Sequence, residues 1–344
     1  VTAPLWHSCF DISHLIAMAT PAIAENYVAL STEAQLLEVI KGARQRSLPV
    51  HVLGGGSNVL CPPSISGLVI APKILGVEIE ISNDDILLRI GAGENWHNVV
   101  VWALSKNYFG LENLALIPGC AGAAPIQNIG AYGVEIASLL ERVRWFDCDN
   151  HRFIEFNAEQ CELGYRDSIF KHGLKGKAII TQIVLRLTRF QNPNIQYQPL
   201  ADFFAQSGQD PTSQNLFNVV CKLRNSKLPD PHDIPNCGSF FKNPVITADS
   251  FAILLQRYPD IPSYPQNADY LKIPAAWLIE KVGLKGKNIA GLVVHHQQAL
   301  VLTNPNRLPL SKVLTASATI IQQVRQQFGI TLEMEPQILG SNLT

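Results

Sequence analysis

The chain has 344 residues, 47% hydrophobic and 16% charged, with 27 basic against 28 acidic side chains and a formal net charge of −1. That composition describes a folded protein with a large core and room for two domains, and it excludes a disordered chain. Without a basic tract, nucleic acid and anionic membranes are not expected partners, and no apolar run approaches the ~20 residues that a bilayer span needs.

Residues 1–24 are apolar in places, but His7, Asp11 and His14 interrupt them and no basic start is present, so no signal peptide is read here. Cys9, Cys61, Cys120, Cys148, Cys161, Cys221 and Cys237 are odd in number, widely spaced and without a C-x-x-C pair. Reduced thiols in a cytoplasmic protein are expected, with neither a disulfide framework nor a metal site.

In chain order, a capped helix is expected over 31–48. Ser31 or Thr32 serves as N-cap, and Leu36, Leu37, Val39 and Ile40 form its apolar face. A short strand over 49–53 runs into Gly54-Gly55-Gly56-Ser57-Asn58. Strands follow at 68–70 and 86–90, a helix at 98–104, and further strands at 142–146, 153–156 and 178–187. Residues 191–210 are polar and broken by proline, and read as a linker or inserted loop. Beyond them come helices at 247–256, 275–282 and 310–328, with short strands such as 299–302. The order predicts an α+β nucleotide-binding half followed by a smaller α+β half.

The richest segment is 117–133, I-P-G-C-A-G-A-A-P-I-Q-N-I-G-A-Y-G. Pro118, Gly119, Gly122, Pro125 and Gly130 break it up, and Gly133 closes it. Glycine lets backbone amides approach a ligand, and Gln127, Asn128 and Tyr132 could orient a polar ring system. The alternative is a buried, tightly turned crossover between strands. Residues 54–58 could cradle a pyrophosphate through backbone N–H groups, with Ser57 and Asn58 adding donors. They match neither G-x-G-x-x-G nor a Walker loop, and a plain glycine-rich hairpin is the competing reading.

Arg166, beside Tyr165 in an apolar context, suits bidentate binding of a carboxylate; a surface ion pair is the commoner fate of an arginine. Ser239, between Gly238 and Phe240-Phe241, could relay a proton in a desolvated setting, or be a turn or cap residue. No His or Asp at triad spacing accompanies it. Glu333 and Glu335 alternate in a strand-like stretch, which puts both on one face, either functional or the wet face of an edge strand. His295 and His296 lack zinc-ligand spacing.

Taken in order, these pieces resemble the flavin-dependent UDP-N-acetylenolpyruvoylglucosamine reductases, the MurB family, in its type I form. The matching motifs are G-G-G-S-N (54–58), G-A-G-E-N-W-H (91–97), I-P-G with Q-N-I-G-A-Y-G (117–133) and Y-R-D-S-I-F (165–170). They continue with R-N-S-K-L-P-D-P (224–231), G-S-F-F-K-N-P (238–244), A-A-W-L-I-E-K-V-G (275–283), Q-Q-A-L-V-L-T-N (297–304) and L-E-M-E (332–335). The resemblance spans nearly the whole chain from about residue 27.

The resemblance implies an α+β fold: an FAD-binding domain of the vanillyl-alcohol-oxidase (PCMH) type over 20–190, an inserted loop with Tyr197 over 191–210, and a smaller α+β substrate-binding domain over 211–344. It implies noncovalent FAD, NADPH as reductant, and reduction of the enolpyruvyl ether of a UDP-sugar to UDP-N-acetylmuramate by a cytoplasmic, monomeric bacterial enzyme. NADPH and substrate would use one cleft in turn. Arg166 and Glu335 would sit at the charge developing on the substrate carboxylate, and Ser239 would protonate the adjacent carbon. Gly54, Gly55, Gly56, Ser57, Asn58, Pro118, Gly119, Cys120, Gln127, Asn128, Gly130, Ala131, Tyr132 and Gly133 would hold the cofactor. Tyr165, Tyr197, Arg224, Lys227, Asn243 and Gln298 would hold the substrate.

The chain departs from the family at three places. Cys120 stands where a serine or threonine is usual, only Phe10 of the usual N-T-F start is kept, and Glu335-Pro336-Gln337 replaces Glu-Val-Arg. Another FAD-dependent oxidoreductase of the same superfamily is the alternative, but it would leave G-S-F-F-K-N-P unexplained. A non-catalytic nucleotide-binding module is disfavoured by Arg166, Ser239 and Glu335 together.

Overall fold

Helix α1 (Glu33–Gln45) begins where its cap lies. The Thr32 hydroxyl accepts from Gln35 N, and the Gln35 side chain accepts in return from Ser31 N at 2.8 Å. The computed structural model describes residues 4–82 and 85–340. These belong to two units: Val1–Phe10, Ala24–Gly56 and Ile65–Ser226 in the first; Asp11–Ile23, Ser57–Ser64 and Lys227–Thr344 in the second.

In the first unit, strands His7–Asp11, Ile23–Leu30, Ser64–Pro72 and Val50–Val52 form a four-stranded sheet in that spatial order. The last two run parallel, with Val50 opposite Leu68 and Val52 opposite Ile70. The buried face of α1 (Leu36, Val39, Ile40, Ala43) packs on Val28, Leu30, Leu68 and Ile70, and on Phe146 and Ile179 of a second sheet. That sheet is antiparallel throughout, in the order Arg152–Asn157, Leu140–Asp147, Ala178–Thr188, Asp85–Gly91, Val77–Ser82. Helix α2 (Trp96–Ser105), capped by Asn95, lays Trp96, Val99 and Val100 into the core on this sheet.

The same core recruits α3 (Gln198–Ser207), through Leu200 and Phe204. Polarity and prolines predict a loop over 191–210, but Pro199 lies in the first turn, where its missing N–H costs nothing, and the two apolar residues one turn apart bury a face. Helix α4 (Ser213–Lys227) was not expected; Leu216, Val219 and Val220 anchor it in the same core.

The second unit has an antiparallel sheet, Asn236–Ser239, Val301–Thr303, Leu292–Val294 and Asn288–Ile289, and a small sheet of Val245–Thr247, Tyr270–Lys272 and Tyr264–Pro265. Helices α5 (Ala248–Arg257), α6 (Ala275–Lys281) and α7 (Leu310–Phe328) complete it, with the Trp277 and Phe328 rings 5.8 Å apart. Val59–Leu60 pairs in parallel with Gln337–Ile338.

Residues 332–336 are not a strand. Met334 makes one bridge to Phe241, and Pro336 can donate no ladder bond. Without a strand's alternation the two acids separate: Glu333 has 70% of its side chain exposed, while Glu335 is buried at 9%.

The N-terminus of α1 is fastened to the second sheet by charge. Arg144 Nε and Nη2 donate to the two Glu33 oxygens at 2.8 and 3.0 Å, and Thr181 Oγ1 donates at 2.7 Å. Burial acts to raise the Glu33 carboxyl, but the hydrogen bonds from Arg144 and Thr181 and the Arg144 charge outweigh it, so it titrates below its ordinary 4.5. A depressed carboxyl contributes stability above the unfolded-state value and loses it as pH falls through the folded one. Glu33→Gln should therefore cost about 1 kcal/mol at neutral pH. The gap in thermal midpoint between the two proteins should narrow below pH 4.5, measured by circular dichroism melts across the acid range.

Candidate active site

The glycine loop and the 117–133 segment meet in the first unit. A Cβ on Gly55 would lie 2.6 Å from Gly119 Cα, and one on Gly54 would lie 3.0 Å from Cys120 Sγ. Gly122 is equally constrained, at 2.5 Å from Ala92 Cβ. These glycines thus let two backbones touch each other, where the sequence had pointed to approach by a ligand. Gly56, Gly119 and Gly133 turn at φ +66°, +121° and +84°. Trp96 N donates to Gly119 O at 3.1 Å and Ala121 N to Glu94 O at 2.9 Å, so the loop is stitched to the start of α2.

Asn128 is buried, and its side chain is fully used. Nδ2 donates to Glu135 Oε2 at 2.8 Å and Gly164 O at 2.9 Å, and Oδ1 accepts from Ala137 N at 3.0 Å. The Asn128 side chain is therefore wired to protein. Arg166 returns to the same loop, with Nη2 donating to Gly130 O at 2.9 Å. Ser168 Oγ donates to Ile126 O at 2.6 Å and Lys171 Nζ to Arg166 O at 2.7 Å, which closes the turn. The Arg166 guanidinium lies over the Tyr165 ring, 5.6 Å from its centroid. Asn128, Tyr132 and Arg166 all hold φ between +45° and +54°, a concentration of left-handed backbone of the kind found at functional sites.

Tyr197, N-cap of α3, meets the Tyr132 ring edge-on at 5.6 Å. Asn113 Nδ2 donates to Tyr132 O at 2.9 Å and Asn194 O at 2.8 Å, tying this segment to the central loop. Arg224, near the end of α4, encloses its Nε without a hydrogen-bond partner among the described residues. Burial lowers its pKa and the Arg166 charge adds to that, against Tyr132 and Cys221. Burial raises the Tyr132 hydroxyl in turn. His97, stacked on Phe217 of α4 at 5.9 Å, accepts from Leu116 N at its Nδ1 and is held below its ordinary value by burial and by Arg224, hence neutral at pH 7. His97, Asn113 and Glu135 had drawn no assignment from the sequence; only His97 lies in a quoted motif, G-A-G-E-N-W-H.

In the second unit, Ser239 ends a bulged strand, and the fully buried Phe240 and Phe241 come directly after it. Lys242, its neighbour in sequence, pairs with Glu333. Glu335 N donates to Phe240 O at 2.9 Å, and Asn58 Nδ2 donates to Glu335 O at 3.3 Å. Asn58 thus secures the backbone of Glu335. The Cys237 thiol is pushed far up by burial, with the Glu335 charge contributing. Asn243 Oδ1 accepts from Ala275 N at 2.9 Å at the start of α6, Gln298 bonds Leu300 N at 3.4 Å, and Lys227 is exposed.

Among the described residues no helix is long and apolar enough to cross a membrane, and no group of three His, Cys, Asp or Glu could hold a metal ion.

A family model described as "FAD binding domain" matches residues 24–151, and one described as "UDP-N-acetylenolpyruvoylglucosamine reductase, C-terminal domain" matches residues 230–339. Gly54, Gly55 and Gly122 are taken up by close packing of the chain on itself, and the match of residues 24–151 to an FAD-binding model is what points to the cofactor. Fold and family models together define an FAD-binding oxidoreductase: an FAD domain of the vanillyl-alcohol-oxidase type with a smaller α+β domain after it.

The UDP-N-acetylenolpyruvoylglucosamine reductase of Pseudoalteromonas translucida is 47% identical over 294 residues, 86% of each chain. That of Salmonella typhimurium is 42% identical over 320 residues, 92% of each. The crystal structure of the reductase (MurB) from Thermus caldophilus superimposes with a TM-score of 0.67 at 20% identity, over 98% of this chain and 99% of that one, a likeness of fold. The chain belongs to the UDP-N-acetylenolpyruvoylglucosamine reductase family.

Gly55→Ala forces a Cβ onto the Gly119 backbone, and overpacking of this kind costs about 1–3 kcal/mol. FAD affinity should fall at least about fivefold, which is what the lower end of that range amounts to. Titration of FAD into apoprotein, followed by flavin fluorescence, checks this; unchanged affinity would detach the loop contact from the cofactor.

Proposed function

We propose that Arg166, Ser239 and Glu335 carry the chemistry of the reaction that family membership gives this chain. That reaction is the NADPH-dependent, FAD-mediated reduction of the enolpyruvyl group of UDP-N-acetylglucosamine enolpyruvate to UDP-N-acetylmuramate, a step of peptidoglycan precursor synthesis and so of cell-wall biogenesis. Bound FAD supplies the hydride for the terminal carbon of the enolpyruvyl group. The remaining tasks fall to the chain. As charge moves into the substrate carboxylate, the Arg166 guanidinium and the Glu335 carboxyl stabilise it, and the Ser239 hydroxyl delivers a proton to the carbon next to that carboxylate.

The observation that carries this reading is the pair of cations in the first unit. Arg224 holds an enclosed Nε with no acceptor among the described residues, and Arg166 adds a second positive charge to its surroundings. Enclosing a guanidinium nitrogen without an acceptor is costly unless an anion joins it, and a UDP-sugar with a carboxylate supplies several. Arg224, Lys227, Tyr165, Tyr197, Asn243 and Gln298 are assigned to hold it. Residues 54–58, 118–120, 127, 128 and 130–133 are assigned to FAD. On this reading 20–190 bind the cofactor, 191–210 present Tyr197, and 211–344 bind substrate. The near-zero net charge supports a protein that serves neither nucleic acid nor an anionic membrane, and the scattered cysteines support the cytoplasm. We take it to act as a monomer.

FAD should be noncovalent, because the central loop has no histidine to form a tether. Acid precipitation should leave the yellow colour in the supernatant; flavin in the pellet overturns this.

The experiment for the chemical roles is stopped-flow of flavin absorbance in each half-reaction. Ser239→Ala should leave reduction by NADPH near normal and slow reoxidation by substrate on the order of 100-fold or more, while Ser239→Cys retains some activity. Arg166→Ala and Glu335→Gln should show the same split, at about 100- to 1000-fold. An alanine variant at Ser239 that reoxidises at the parent rate would end the proton-donor assignment.

A further inference from the structure

The strand that presents Ser239 cannot be regular. Asn236 pairs with Thr303 and Ser239 with Val301, so three steps on one strand face two on its neighbour. The extra residue is a bulge, which re-aims the side chains beyond it. Gly238 makes the turn at φ +70°, where a side chain would be strained. A regular ladder would relax this backbone, so something must hold it.

The Asn236 side chain holds it. Oδ1 accepts from Gly238 N at 2.9 Å, and Nδ2 donates to Pro229 O at 3.1 Å and Ile234 O at 2.8 Å. Asn236 is 1% exposed, so water cannot replace these bonds. Its own backbone is pinned, with Asn236 N donating to Ala17 O at 3.0 Å and Asn304 N donating to Pro235 O at 2.7 Å. The chemistry demands asparagine. One acceptor must meet an N–H while two donors meet carbonyls, and no charge can be tolerated in that enclosure. Aspartate would turn a negative oxygen on two carbonyls, and alanine would leave the three backbone groups unpaired.

We propose that Asn236 is a positioning residue for Ser239. It fixes the bulge at Gly238, and through it the place of the Ser239 hydroxyl. The same carboxamide ties that hydroxyl's strand to Pro229, two residues beyond Lys227. The proposal rests on reading Ser239 as the proton donor.

The test is a double-mutant cycle in the FAD-loaded enzyme, with both half-reactions monitored by stopped-flow. Asn236→Ala should leave flavin reduction by NADPH within about twofold and slow reoxidation by the UDP-sugar roughly 10- to 100-fold, the cost of a displaced reacting group. In a Ser239→Ala background, Asn236→Ala should slow reoxidation no further, because residues that act through one group are not additive. Two slowings that multiply would overturn the positioning role and leave Ser239 standing. Normal reoxidation in Ser239→Ala alone would overturn the underlying reading instead.

Where Asn236→Ala fails to fold, Gly238→Ala takes its place. Among the described residues, nothing beyond its two chain neighbours lies within 4 Å of the added Cβ, so the substitution strains chiefly φ of the bulge. It should reproduce the selective slowing of reoxidation and the non-additivity with Ser239→Ala; parent-like reoxidation in Gly238→Ala would sink the proposal.

Discussion

Two stretches of main chain in the first unit lie backbone against backbone, Gly55 on Gly119, and most of the unit's functional geometry depends on that contact. A methyl group at Gly55 would sit 2.6 Å from Gly119 Cα, inside any permitted carbon contact. With the side chains gone, the 117–133 loop is fixed against the end of the parallel strand pair, and its other attachments become possible. Gly119 O takes the amide of Trp96 at the head of α2, Ile126 O takes the Ser168 hydroxyl, and Gly130 O takes the Arg166 guanidinium. The loop is a hub, and its peptide groups are satisfied by residues scattered over more than seventy positions of sequence (Trp96 to Ser168).

Within each unit, much of the wiring is done by amide side chains. Asn128, Asn113, Asn236 and Asn304 are all buried, and each bonds backbone groups from two or more segments. An amide brings donors and an acceptor with no net charge. A carboxylate or ammonium in the same place would carry a desolvation cost of several kcal/mol and would also set up a field. Amide wiring adds no net charge of its own beside Arg166, Arg224 and the Glu135 carboxylate that Asn128 holds.

What the sequence made legible divides along physical lines. Three helices were readable: α1 from a Ser31 or Thr32 cap and its apolar face, α5 over 247–256 and α7 over 310–328, against observed bounds of Ala248–Arg257 and Leu310–Phe328. The long strands of the antiparallel sheet announced themselves by β-branched and aromatic runs. Helix α3 was hidden because prolines and polar residues outnumber the two apolar anchors that decide it, and α4 because its polar face dilutes Leu216, Val219 and Val220. The motifs were legible as those of the family to which the chain belongs. Their wiring was not, since no spacing rule joins Asn113 to Asn194 or Asn58 to Glu335. Glu335 shows the limit most plainly: alternation placed it beside Glu333, whereas the proline next to it and its amide bond to Phe240 O buried it alone.

The left-handed residues add a further constraint that composition could not reveal. Asn128, Tyr132 and Arg166 carry side chains at positive φ, which costs about 1–2 kcal/mol at each position. Such strain persists only where surrounding bonds over-determine the backbone. Here those bonds are identifiable. The Asn128 side chain makes three, the carbonyl of Tyr132 is held by Asn113, and the carbonyl of Arg166 is held by Lys171. At roughly 0.5–1.5 kcal/mol net for each bond, strain and restraint are of similar size. Removing one such bond would then release the backbone locally before it threatened the fold, because the core beneath is built from other residues. Loss of these polar side chains should therefore register first in where Arg166 and Tyr132 stand, and only second in thermal stability, whereas truncation of Val143 or Ile183 in the core beneath would do the reverse.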